Sequence, residues 1–143
     1  MKRIAIRALA PTLSGFFVAL AFCLPQPSPV VAQDQQVQVI ELTAKKYEYS
    51  LSPVHVKAGT KVQLKITAVD HDHGFKIVTV ADGSAPNSKP GLVLSSPQDC
   101  VQLKKGETTT IEFLAQTRGT YPFRCCHTCG LAHRGMKSLL VVD

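Results

Sequence analysis

The chain has 143 residues, enough for one ordinary domain with a core of its own. Its 16 Lys and Arg against 10 Asp and Glu give a formal net charge of +6; three of the basic residues, Lys2, Arg3 and Arg7, fall in the first 32 positions, so the remainder carries only about +3. That balance is too mild and too scattered for a nucleic-acid binder, whose basic residues would cluster on one face.

The basic start leads into an apolar run from Ala8 to Leu24, and Val30, Val31 and Ala32 are small residues of the kind a signal peptidase reads. Residues 1–32 are therefore expected to be a cleavable secretory signal, with Cys23 removed along with it, and residues 33–143 the folded domain. Pro11 breaks the run and Pro25 ends it, short of the roughly 20 apolar residues a permanent span needs. No membrane span is expected after removal of the signal, and the product is expected to be periplasmic or secreted. Outside the cytoplasm, the remaining thiols, Cys100, Cys125, Cys126 and Cys129, become disulfides unless a metal claims them.

The rest of the chain reads as short strands. Residues 37–42, 46–51, 54–56 and 62–66 come first, the last alternating cleanly between apolar and polar as a half-buried strand does. After the polar Asp70-His71-Asp72-His73, a strand is expected over 75–80, then a long Ser-, Pro- and Gly-rich loop over 81–98. Strands over 101–103, 108–114, 121–124 and 138–142 complete the set, with a helical turn conceivable only near 127–133. About eight or nine short strands separated by turn residues predict an all-β sandwich or barrel of two packed sheets.

Residues 125–136, CCHTCGLAHRGM, hold the chemistry. Cys125, Cys129, His133 and Met136 fall at spacings of four, four and three, and thiolate, imidazole and thioether together select copper, especially Cu(I), over hard metals. An upstream imidazole is available from His71 or His73 in the loop before Gly74-Phe75. Other arrangements use fewer of these residues. Two disulfides among the four cysteines give no role to His133 or Met136, and a zinc site has no need of Met136. A mononuclear blue site would take His73, Cys129, His133 and Met136 and leave Cys125 spare. His71 is otherwise a surface residue or a partner to a ligand, and His55 is expected to be exposed. Adjacent Cys125 and Cys126 point to opposite sides of an extended chain, and nothing in the sequence places Cys100 near either, so a Cys100–Cys126 disulfide is left open.

Pro53, Gly59, residues 62–66, His73-Gly74-Phe75 and 119–125 (GTYPFRC) resemble the cupredoxin family, across nearly the whole segment after residue 32. More narrowly, CxxxCGxxHxxM at Cys125, Cys129, His133 and Met136, with DxxH at Asp70 and His73, resembles the dinuclear CuA copper domain of cytochrome c oxidase subunit II and nitrous oxide reductase. The resemblance implies a Greek-key β-sandwich. It also implies two copper ions bridged by Cys125 and Cys129, one imidazole for each from His73 and His133, a weak axial Met136, and the backbone carbonyl of His127 completing the second copper. The family commonly has Glu where this chain has His127; since only the carbonyl binds, the change removes no ligand.

No general acid and base pair or activated nucleophile is placed for substrate chemistry. The resemblance implies an exported electron carrier, or a detached electron-input module of a respiratory oxidoreductase, with a c-type cytochrome or a membrane oxidase as redox partner. The membrane helices of the oxidase subunit and the extra domain of the reductase are missing from this sequence, as is any Trp after residue 32, so oxygen reduction by this chain alone is not expected. The alternatives are a mononuclear blue copper carrier, or a periplasmic copper chaperone or storage protein that hands Cu(I) on.

Overall fold

The computed structural model describes residues 36–97, 99–128, 130 and 132–143. The expected signal, Gln98, Cys129 and Leu131 lie outside the described residues, and of His133 only the backbone is described. The strands are β1 (Val37–Lys45), β2 (Glu48–Tyr49), β3 (Val54–Val56), β4 (Lys61–Ala68), β5 (His73–Ile77), β6 (Leu92–Leu94), β7 (Val101–Leu103), β8 (Thr108–Ala115), β9 (Gly119–Arg124) and β10 (Lys137–Val142). One 3-10 turn, His133–Gly135, precedes β10.

These segments become strands because alternate positions have somewhere dry to go. In β4, Val62, Leu64, Ile66 and Ala68 are buried while Lys61, Gln63, Lys65 and Thr67 face outward, and in β8 the buried set is Ile111, Phe113 and Ala115. The register matches the two patterns, with Leu64 opposite Ile111 and Val62 opposite Phe113, so a slip of one residue would turn both sets to water. β1 joins β4 in parallel, Leu42 beside Ile66 and Ala44 beside Ala68, giving one sheet in the order β2-β1-β4-β8-β6.

The second sheet runs β3-β10-β9-β5-β7. Leu140 stands opposite Tyr121 on one side and Val54 on the other. Inward residues of both sheets form a single apolar cluster, each large side chain contributing about 1.5–3 kcal/mol by leaving water. The expected all-β, two-sheet sandwich is the architecture found, with five strands per sheet.

Besides shifts of a few residues at several strand ends, three differences from the sequence reading matter. β6 lies inside the expected 81–98 loop, pairing Leu92–Leu94 with residues 113–115 at the sheet edge; three residues between Gly91 and Ser95 are too few to show alternation. The expected 46–51 strand shrinks to Glu48–Tyr49. β5 begins at His73, which β7 faces, and ends at Ile77, the last residue it pairs with β9. His73 is thereby held by a strand rather than carried in a loop.

Candidate metal centre

The centre is built where β4 and β9 end and β5 begins. Tyr121, Phe123 and Cys125 alternate inward along β9 and its continuation, so the Cys125 side chain is buried among core residues. The Cys125 amide donates to the Met136 carbonyl at 2.9 Å, closing the segment between them at the start of β10. Met136 is fully buried. Beneath, Tyr49, Phe75 and Phe123 pack against one another, two of the pairs edge to face. The Tyr49 hydroxyl donates to the Gly74 carbonyl at 2.9 Å, holding β5 at the residue after His73.

His73 is fully buried. Its Nε2 lies 2.7 Å from Asp70 Oδ1, and because a carboxylate only accepts, Nε2 carries the proton and the Nδ1 of the neutral ring keeps its lone pair. That Nδ1 is buried without a hydrogen-bond partner among the described residues. A buried, unpartnered imidazole nitrogen whose opposite nitrogen is fixed by a carboxylate is how metal-binding histidines are commonly oriented. Asp70 also accepts from the amides of Lys46 at 2.8 Å and His71 at 2.9 Å. Partial burial works against its charge, but the hydrogen bonds from His73, Lys46 and His71 outweigh that and hold its carboxyl well below the usual carboxylate range.

Cys125 carries a thiol. Its Sγ faces the His127 carbonyl at 3.2 Å and receives the Gly74 amide at 3.4 Å. So the structure gathers the Cys125 sulfur and the His127 carbonyl at one point, with the chain of His73 one residue from the amide that reaches that sulfur. His127 Nδ1 is likewise buried with no partner among the described residues. Cys129 and the His133 side chain lie outside the described residues. Nearby, Gly130 has φ +130°, and a Cβ there would sit 2.6 Å from the Tyr47 hydroxyl; only glycine fits this turn under Tyr47.

His71 comes to the outer edge of the site rather than its interior. Its ring lies 4.2 Å from that of His73, centroid to centroid, and its Nδ1 is 2.8 Å from the same Asp70 oxygen. Asp70, His71 and His73 thus offer ligand atoms within 4.8 Å of one another. His55 is exposed as expected, beside Asp143.

Cys100 and Cys126 form a disulfide, with Cα atoms 5.9 Å apart, well within the usual span. The opposite directions of Cys125 and Cys126 are the reason: one turns into the core and the other toward β7, whose first residue follows Cys100. The missed signal was the pairing of β5 with β7, which carries Cys100 to the site. No helix among the described residues is long and apolar enough to cross a membrane.

Comparison with known proteins agrees with this architecture. The chain is 27% identical to cytochrome c oxidase subunit 2 of Thermus thermophilus over 117 residues, covering 81% of this chain and 74% of that protein. It is 29% identical to nitrous-oxide reductase of Ralstonia nicotianae over 123 residues, 83% of this chain but only 16% of that protein. Among solved structures, auracyanin A, a "blue" copper protein of Chloroflexus aurantiacus, superposes with a TM-score of 0.54 at 19% identity over 76% of this chain and the whole of that one, a likeness of fold. The model of the cupredoxin-like domain matches residues 14–142, and the chain belongs to that family.

Proposed function

We propose that this chain is an exported copper protein that carries electrons through a CuA-like dinuclear centre, as a soluble carrier or as a detached electron-input module of a respiratory oxidoreductase. The observation that carries the reading is the pairing of a buried, unpartnered His73 Nδ1, oriented by Asp70, with a buried Cys125 thiol that already faces the His127 carbonyl. His73, Cys125, Cys129, His133 and Met136 would hold the metal with the His127 carbonyl. Two coppers sharing two thiolates would supply one-electron redox chemistry with little change of geometry. The protein's part is to hold these groups still and dry: Asp70 fixes the His73 ring, the Cys125 amide bonded to its carbonyl fixes Met136, and the buried aromatic floor excludes water.

A mononuclear blue site on His73, Cys129, His133 and Met136 is the second reading, favoured by the likeness to auracyanin A. It leaves a buried thiol, Cys125, facing a carbonyl at the heart of the site with no task. The oxidase relative supports a c-type cytochrome or membrane oxidase as redox partner, and a periplasmic or secreted location.

The test is copper per chain with optical and EPR spectra, on protein reconstituted without thiol oxidation. Two coppers, a purple colour and hyperfine structure from one electron shared by two nuclei are expected. One copper with a blue spectrum would move the assignment to the mononuclear set. Tightly held, colourless Cu(I) that resists oxidation and passes to an acceptor protein would replace the carrier with a copper chaperone.

A further inference from the structure

We propose that the Cys100–Cys126 disulfide is a strap laid over β5 at Gly74, positioning the backbone that joins the two halves of the metal centre. The proposal rests on the reading of His73 and Cys125 as ligands.

The strap crosses at one residue. A Cβ built on Gly74 would lie 2.8 Å from Cys126 Sγ, 2.8 Å from the His127 amide nitrogen and 3.0 Å from Cys100 Sγ, so the two sulfurs lie directly on the face of Gly74 and only glycine leaves them room. β5 needs such help there. Its ladder with β9 covers only Lys76 and Ile77, whereas its ladder with β7 covers His73 to Phe75. At Gly74, therefore, the β9 side is spanned by the Gly74 amide reaching Cys125 Sγ at 3.4 Å and by the disulfide running from Cys126 to the residue before β7.

Every group the strap touches is next to one the centre uses. Cys126 follows Cys125, Gly74 follows His73, and the amide under the strap belongs to His127. A covalent link from β9 to β7 across β5 limits how far the Gly74 amide can move from the Cys125 sulfur, and hydrogen bonds to a ligand sulfur are among the influences that tune a copper centre. Cys100, Cys126 and Gly74 are thus positioning residues.

The test compares the wild type with the double variant Cys100→Ala/Cys126→Ala, which leaves no odd thiol, both metal-free. Amide hydrogen exchange at Gly74 and Phe75, and the rate of Cys125 alkylation read on its peptide, should each rise about tenfold or more in the variant, the scale of losing one local restraint of about 1.4 kcal/mol. Exchange at Leu64, Ile66 and Phe113 in the other sheet should stay within about twofold. A uniform rise across both sheets would show a general staple, and no rise would show an idle bond; either overturns the strap. Should the variant not fold, the same exchange is followed while dithiothreitol reduces the disulfide in the metal-free wild type, and global loss of protection counts against the proposal. Copper titration of the wild type reads the other question separately: a chain that takes up no copper would end the carrier reading while exchange still judges the strap.

Discussion

Asp70 is the side chain on which the centre turns. It ties the β1–β2 turn through the Lys46 amide, the 70–73 turn through the His71 amide, and His73 through the ring Nε2. Replacing it with Asn keeps an acceptor of the same shape but removes the charge that fixes which His73 nitrogen is protonated. Asp70→Asn should weaken copper binding about 10- to 100-fold, the usual effect of losing a partner that orients a ligand, as read by competition with a copper chelator. Unchanged affinity would mean that the carboxylate does not orient His73. The same residue gives the metal-free protein a pH dependence. Its folded pKa is depressed, so its contribution is complete above the ordinary value of 3.8 and is lost as pH falls below it; the Asn variant should lose less stability than the wild type on acidification through that range. At Met136 the expectation is different. Met136→Leu nearly conserves volume in a fully buried position and should change stability by less than about 1.5 kcal/mol. It removes the thioether, so the copper count should stay while the optical spectrum and reduction potential shift. Neither moving would remove Met136 from the ligand set.

At the scale of elements, the β8–β9 connection shows how the framework that carries Cys125 is held. The Tyr121 hydroxyl, on β9, donates to the Thr117 carbonyl at 2.6 Å across the turn, while its ring is fully buried. Tyr121→Phe keeps the packing and leaves that carbonyl short of a donor, so chemical denaturation should show a loss of about 0.5–1.5 kcal/mol, with copper stoichiometry unchanged; no loss would mean that water replaces the hydroxyl. β4 and β8 were legible in the sequence because each is long and buries one face, as Val62-Gln63-Leu64-Lys65-Ile66 displays directly. The candidate ligands stand out in the sequence too, since thiolate, imidazole and thioether types are rare and their spacing is local. What stayed hidden depends on pairing between distant strands. Leu92–Leu94 becomes a strand only because residues 113–115 lie beside it, and His73 joins a strand only because Leu103 faces it. Cys100 meets Cys126 across 26 positions through that same β5–β7 ladder. No periodicity within either segment encodes such a meeting.

For the whole molecule, the question is how far the centre and the core act as one unit. Of the groups proposed to hold the metal, His73 begins β5 and Cys125 follows β9, and these two are brought together only when the second sheet is formed. Copper that binds the folded chain and not the unfolded one must therefore stabilise it, by about 2.7 kcal/mol at a free concentration a hundred times Kd, and by less to the extent that unfolded thiols also bind. Leu64 provides the counterpart. It is fully buried in the middle of β4, in the other sheet, opposite Ile111 and beside Ile40. Leu64→Ala should lower stability by about 2–5 kcal/mol, as lost transfer energy plus a cavity, in the metal-free and the copper-loaded protein alike. If the facing sheet acts independently of the centre, the two effects should add and copper affinity should not change. Denaturation with and without copper, on both wild type and variant, closes the cycle. Equal copper-induced gains would mean that β5, β9 and β10 hold the centre independently of the facing sheet. A smaller gain in Leu64→Ala would mean that loosening β4 reaches Asp70 through Ala68, two residues away along the chain, and that the core itself sets the geometry of the site.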